Sequence, residues 1–340
     1  MLRIVHLIDD TNPGGVTRYL DFIAADAAMA RLATHVVVPV SRTRPATAPI
    51  EADVIVSHLT VSWRGLPGLM LLRARFPNTP LVHVEHSYCA GFAAARVTAP
   101  GRFQTLLRCA YALFDRVVAV SAAQADWLVR RGLVAPSVLE MIRPCVALDA
   151  FRALPVPGGS VRTIGAIGRF DQQKGFDLLI RAFRAVSDPD LRLQLIGDGP
   201  ERAALETLAA GDPRISLPGF AADPAMAMSG CDLVAMPSRW EPYGLIALEA
   251  MAARRPLLVA NVDGLKDHIA NGAVAVEEMT VEAWASAIVR ARAGMRMPAT
   301  DMSAEAACVD GWARLVADLL DRATEADVAR RTGRAEVGLA

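Results

Sequence analysis

Short runs of Val, Ile and Leu recur along this chain with amphipathic stretches between them, and that rhythm constrains the fold more than any other feature. In the first half the runs are "RIVHLI", "HVVVPV", "ADVIVSHL", "PLVHVEH" and "RVVAVS". They are too apolar to be half exposed, so they read as strands buried on both faces, and such strands alternating with helices make a parallel sheet covered on both sides. "RALPVPGGS" at 152–160 breaks the rhythm with two Pro and two Gly and reads as a linker. "VRTIGAIG", "RLQLIG", "RISLPG", "CDLVAMPS", "PLLVAN" and "GAVAV" then take the pattern up again. A chain of 340 residues with 53% apolar side chains has enough material for two cores. The expected fold class is α/β, two Rossmann-like doubly wound domains facing across a cleft, since such sheets bind ligands at the carboxyl ends of their strands.

The expected division is 1–153, 160–300, and a C-terminal helix and tail over 301–340 able to pack on either half. Within the last piece the helical pattern covers 302–323, and the final dozen residues read as frayed. Local signals sharpen single boundaries. Ser121 and Gln124 match an S-x-x-Q capping box, Gly132 suits a left-handed helix stop, and Pro200 and Pro224 are placed to open helices.

Charge excludes some functions. The formal net charge is zero, so the basic footprint of a nucleic-acid binder is missing. The halves differ: residues 1–150 hold 15 Arg against 11 acids and are +4, and the remainder, with 21 Lys+Arg against 25 acids, is −4. An acidic or membrane-surface partner for the first half is one reading, and scatter is the other. Five widely spaced cysteines without a C-x-x-C pair suggest neither a disulfide framework nor a zinc site. The opening "MLRIVHLIDD" turns acidic early and no run of 18 apolar residues follows, so the expected location is cytoplasmic.

Three loops hold the candidate chemistry. In "IGRFDQQKGFDLLIRAF", Arg169 and Lys174 lie between a strand end and a helix start, with Gly168 and Gly175 beside them. Cations next to free helix amides make a site for a dense anion such as a diphosphate. The alternative pairs both cations with Asp171 and Asp177 on a solvated surface. Lys174 is one of only two lysines in an arginine-rich chain, which favours a specific role. "LIGDGPERAALE" supplies a second corner, where Gly197 and Gly199 open space and Asp198 reads as a helix cap. In "RWEPYGLIALEAMAA", Glu241 stands at a strand exit and Glu249 little more than a turn inside the next helix. Ionised carboxylates accept several hydrogen bonds and suit sugar or ribose hydroxyls, while the Gly244 and Leu245 amides suit a phosphate. Their structural alternatives are a paired buried carboxylate for Glu249 and a surface residue for Glu241.

"GRFDQQKG", "GDGP" and "EPYGLIALE", in this order and at these separations, resemble the retaining glycosyltransferases of family 4 (glycosyl transferases group 1), which have the GT-B fold. The likeness is close over 162–276 and looser over the N-terminal half. It implies that Arg169 and Lys174 hold the donor diphosphate and that Glu249 binds ribose. Glu241 would orient the transferred sugar, with Gly168, Gly197, Gly199, Tyr243, Gly244 and Leu245 around the donor. It also places Gly14 and Gly15 in an N-terminal glycine loop near donor phosphate and acceptor, and His86 of "VHVEHSY" at the family's histidine, with His83 left to the core. The donor would be a UDP- or GDP-type sugar, with no cofactor and no metal; Asp188-Pro-Asp190 spells D-x-D but falls on a turn away from the site. The acceptor would be a saccharide or lipid-linked molecule in cell-surface polysaccharide, lipopolysaccharide or glycolipid synthesis. An epimerase of the same fold and a catalytically silent nucleotide-sugar binding protein are the competing readings.

Two stretches depart from the family pattern. "VDGLKDHI" replaces the usual Gly-Gly-x-Pro-Glu with Asp263, Lys266 and Asp267, which bars carrying over a donor identity. "IRPCVALDAF" lacks Asn-Gly-Val-Asp and leaves Cys145, read here as core. "SWRGLPGLMLLRARF" and "RFQTLLRCAYALFDR" mix Leu, aromatics and Arg, compatible either with peripheral contact at the inner face of a membrane or with ordinary helices on a sheet.

Overall fold

The computed structural model describes residues 1–47, 49–158, 160–295 and 303–337, with side chains described as far as 321 and not at 47. The first sheet contains β1 Arg3–Ile8, β2 Thr34–Pro39, β3 Val54–Ser57, β4 Leu81–Glu85, β5 Arg116–Ala119 and β6 Leu139–Met141, in the order β2-β1-β3-β4-β5-β6. The second contains β7 Thr163–Ile167, β8 Arg192–Ile196, β9 Ile215–Gly219, β10 Leu233–Met236, β11 Leu257–Ala260 and β12 Val274–Val276, in the order β12-β11-β10-β7-β8-β9. Every pairing is parallel.

The burial of each strand follows its composition. The interior strands VIVS, LVHVE, RVVA, LVAM and LLVA are buried at every position. At the sheet edges, β2 and β9 are partly buried or exposed at every position, and they carry Pro39 and Pro218, tolerated where no neighbour needs the missing amide. Helices between the strands cover both faces. Ile4, Val54, Val56, Val82 and Val84 pack with Tyr19 and Ile23 on one face of the first sheet, while Val5, Leu7, Ile55 and Val117 pack with Leu72 and Leu107 on the other.

Several local expectations need correction. Ser121 Oγ accepts from the Gln124 amide at 3.2 Å, but the Gln124 side chain does not close the box. Its Oε1 accepts from Val120 and its Nε2 donates to the Glu85 and Tyr88 carbonyls, so it staples two strand exits together. Asp198 caps no helix: it accepts from Gly199, and the helix begins at Arg202, two residues beyond Pro200. Pro224 does open its helix, with Asp223 accepting from Ala225 and Met226.

The last helix, Ala304–Val337, is longer than its apolar pattern because Ala, Glu and Arg continue it by propensity alone. The expected frayed end therefore shrinks, and 338–340 lie outside the described residues, as do Gly159 of the linker and the boundary at 300. Trp312 Nε1 donates to the Tyr19 hydroxyl at 2.8 Å, Asp318 meets Arg116, and Glu305 meets Arg152 at 2.5 Å, so this helix lies on N-terminal residues.

Candidate active site

Strand order brings the sequence motifs together. In the second sheet β7 and β10 are neighbours although β8 and β9 lie between them in the chain. The winding reverses there, and the loops leaving the two strands open a crevice. One loop holds Gly168, Arg169 and Lys174, and the other runs from Ser238 to Glu241. Gly175 seats one loop against the other: its φ is +65°, and a Cβ at that position would lie 2.1 Å from the Pro237 carbonyl oxygen. The Arg239 amide then donates to the Gln173 carbonyl at 2.7 Å.

Lys174 Nζ donates to Glu241 Oε2 at 2.5 Å, and Ser238 Oγ lies 3.2 Å from the same oxygen. This excludes the surface pairing considered for Lys174, since Asp177 is taken by Arg181 and Arg239. Arg169 remains largely exposed, with Asp171 at 4.0 Å. The Gly197–Gly199 corner packs under this loop. A Cβ on Gly197 would lie 1.9 Å from the Gly168 carbonyl oxygen, and the Phe170 amide donates to the Asp198 carbonyl at 2.8 Å.

A helix from each half starts beside the crevice. Gly244, with φ +94°, precedes the helix Leu245–Ala252, and Gly14 precedes Gly15–Ala25. The two starts approach so closely that a Cβ on Gly15 would meet Leu245 Cδ1 at 3.4 Å. Their free amides and dipole ends make the gap favourable for an anion.

Glu249 is fully buried and faces Arg18 across the gap, with Nη1 to Oε1 at 2.6 Å. The contact is close but not aligned as a hydrogen bond, and among the described residues neither carboxylate oxygen has a hydrogen-bond partner. Burial pushes the Glu249 carboxyl up to about 7, and Arg18 opposes the rise. His86, half-buried just past β4, has Nε2 at 2.9 Å from His58 Nδ1, and burial pulls its pKa down to about 4 against the pull of Glu85. His83 points to the other face, near Ser57 and Glu85, and is core as expected. The Tyr243 ring lies 4.7 Å from that of His268, and the residue lines the cavity between the halves.

Residues that sequence reasoning passed over join the halves. Asp263, held at φ +37°, accepts from the Gly91 amide at 3.0 Å, Cys89 Sγ at 3.1 Å and the Glu241 amide at 3.3 Å. Asp267 accepts from Arg143 at 2.7 Å and from the Ala122 amide at 3.3 Å. Both stand where "VDGLKDHI" departs from the family pattern; the departure was the available signal, and their partners in the other half are over a hundred positions away. A cavity of 860 Å³ between the halves is lined by Trp127, Arg130 and Arg143 from one side and Tyr243, Asp263 and Lys266 from the other. Arg169, Lys174 and Glu241 do not line it. Asp188 pairs with Arg292 at 2.9 Å, apart from these residues. Cys145 is buried in the core. Among the described residues no helix is long and apolar enough to cross a membrane.

Comparison with known proteins agrees with this geometry. Residues 161–293 match the model of glycosyl transferases group 1, and residues 44–150 match that of glycosyltransferase family 4. A D-inositol 3-phosphate glycosyltransferase of Saccharomonospora viridis is 32% identical, over 88% of this chain and 76% of that protein. Among solved structures, Anabaena Alr3699/HepE in complex with UDP and glucose superposes with a TM-score of 0.65 at 20% identity, covering 97% of this chain and all of that one. Sucrose-phosphate synthase from Thermosynechococcus elongatus reaches 0.67 at 20% identity, covering 99% of this chain and all of that one. Two reversed-winding parallel sheets, the lysine–glutamate corner at the reversal of the second and these likenesses lead to one conclusion: the chain belongs to the family 4 glycosyltransferases, with the GT-B fold.

Proposed function

We infer that this glycosyltransferase moves a hexosyl group, with retention and without a metal, from a UDP- or GDP-type sugar to a saccharide or lipid-linked acceptor. Its setting is cell-surface polysaccharide, lipopolysaccharide or glycolipid synthesis. The observation that carries the reading is Lys174 held on Glu241 in the β7/β10 crevice, next to the exposed Arg169 and two helix starts. In this reading residues 1–153 form the acceptor side and 160–300 the donor side.

Charge development gives each residue its role. As the anomeric C–O bond breaks, negative charge grows on the leaving diphosphate, and Arg169 and Lys174 stabilise that state more than the ground state. Amides at Gly15, Gly244 and Leu245 add donors, whereas the Gly14 amide already donates to Thr17 Oγ1 at 2.9 Å. Glu241 orients hydroxyls of the transferred sugar, and Glu249 accepts from the ribose once Arg18 gives way. The acceptor attacks from the face the diphosphate leaves, and the departing phosphate takes its proton, so no carboxylate nucleophile is needed. Trp63, Met70 and Leu71 are exposed, and the Arg102 guanidinium lies 5.5 Å from the Trp63 ring, which supports peripheral contact with an anionic membrane at its inner face.

The test is a donor panel of UDP- and GDP-sugars, followed by nucleotide release with and without a chelator. D-inositol 3-phosphate belongs among the acceptors because a relative's name supplies it. Transfer or hydrolysis unaffected by chelation is the expected result. Donor isomerisation would indicate an epimerase, binding alone a silent protein, and loss with chelator a metal requirement.

A further inference from the structure

One buried carboxylate joins the two halves beside the lysine–glutamate corner. Asp263 Oδ1 accepts from the Gly91 amide at 3.0 Å, and its Oδ2 accepts from Cys89 Sγ at 3.1 Å and from the Glu241 amide at 3.3 Å. Cys89 and Gly91 come just after β4, where the chain has passed His86 and enters the helix Ala90–Arg96; Glu241 lies on the loop after β10. Burial, and after it Asp263 itself, pushes the Cys89 thiol up, so the thiol keeps its proton and can donate. A single side chain thus bonds to strand-exit segments of both sheets.

The hold on Glu241 is two-sided. Its amide donates to the Asp263 side chain and its carbonyl accepts from the Gly264 amide at 2.9 Å, so consecutive residues fix both backbone groups of the residue whose carboxylate bonds to Lys174. Gly264 permits the approach, since a Cβ there would lie 2.0 Å from the Pro242 carbonyl oxygen. The other half offers an equally firm footing. Glu85 Oε1 accepts from the Ser87 and Tyr88 amides at 2.7 and 2.9 Å, and Gln124 Nε2 donates to the Tyr88 carbonyl at 2.7 Å, which braces the segment that reaches Asp263.

Both sides of the contact are shaped for it. The φ of Asp263, +37°, lies in the left-handed region, where a Cβ crowds the backbone; the family pattern has glycine here, which enters that region freely. An aspartate is strained at this position, and what it gains over glycine is a carboxylate that reaches Gly91. Strain of this kind persists where the surroundings over-determine it, and it concentrates where geometry serves function. Facing it, Gly91 occupies an ordinary helical position that makes no demand for glycine, yet a Cβ there would lie 2.4 Å from Asp263 Oδ2 and 2.7 Å from Trp240 Cβ.

We propose that Asp263 is a positioning residue: docked on Gly91 of the other half, it sets the backbone of Glu241 and, through Glu241, the place of Lys174, so that the corner takes its working geometry from contact with the N-terminal half. The consequence for sugar transfer rests on the transferase reading above; the clasp itself does not.

Gly91→Ala tests this from the far side, because the substitution lies outside the corner and alanine is the better helix former. Amide hydrogen exchange on the full chain, without substrate, should be faster over 238–245 in this variant than in the parent, and an unchanged rate there in a folded variant overturns the proposal. Asp263→Gly, which removes the carboxylate and relaxes the backbone, should loosen the same segment and remains informative should the alanine variant fail to fold. In the active enzyme both variants should lower kcat by about 10²-fold, the order expected when a reacting group is misplaced by ~1 Å, with the Kd for free UDP or GDP little changed. Asp263→Asn, which keeps one accepting oxygen, should fall between Asp263→Gly and the parent. A kcat equal to the parent's, or a loss of nucleotide affinity that matches the loss of kcat, overturns the positioning role. Exchange is read without turnover, so a failure of the transferase reading and a failure of the clasp are told apart.

Discussion

Each sheet reverses its winding once, and the chain places opposite chemistry at the two reversals. Between β7 and β10 stand Lys174 and Glu241, bonded to each other and mostly buried, with the exposed Arg169 beside them. Between β1 and β3 stand His6 and His58, buried, neutral and bonded to one another. The same topology thus serves two ends. A charge that is paired or exposed stays ionised, because its partner or solvent offsets the cost of holding it; buried rings with only one another as partners stay neutral, because ionising them there is expensive.

The largest expected effect concerns acid. His6 and His86 are depressed to about 3 and about 4, so below about pH 6.5 the unfolded chain binds protons that the folded chain refuses. Stability from these rings is complete above their unfolded value and is lost as pH falls toward their folded values. By about pH 4 the loss reaches roughly 3 kcal/mol for each ring. Urea unfolding at a series of pH values should show this slope, and His6→Gln should flatten it; an equal slope in the variant would break the contrast between the halves.

Next comes the charged corner. Lys174→Ala should lower kcat by ~10²–10³ with cooperative unfolding preserved, measured as nucleotide release beside a thermal melt. Unchanged turnover would remove the proposed diphosphate contact.

Glu249 should respond in the opposite sense to the histidines. Its carboxyl is raised from its ordinary value to about 7, so the folded state holds the extra proton, and stability falls as pH rises between the two values by roughly 3 kcal/mol. Glu249→Gln should abolish that fall. The smallest effect is at the seam: Asp263→Asn weakens acceptance from Gly91, Cys89 and the Glu241 amide and should cost about 1–3 kcal/mol by denaturant unfolding.

Much of the second half was legible in advance. Arg169, Lys174 and Glu241 lie on strand-exit loops, and a strand followed by a glycine turn and a helix can be recognised within about a dozen residues. Glu249 was legible as a buried carboxylate, but its facing Arg18 was not, since no local pattern pairs positions from different domains. The packing of the Tyr243 ring on His268, 25 positions on, was equally illegible, since it depends on how one helix sits against the strand-exit loop.

By itself the sequence determined that this protein has two buried parallel sheets, where the chain leaves each strand, and which side chains stand at those exits. Periodicity and turn chemistry act over a few neighbours, so they can be read locally. Only the tertiary structure decided which exits meet, which rings share a face and which carboxylates cross the cleft. Those outcomes depend on strand order and register, and a one-residue slip in register would send a ring such as His6 to the opposite face.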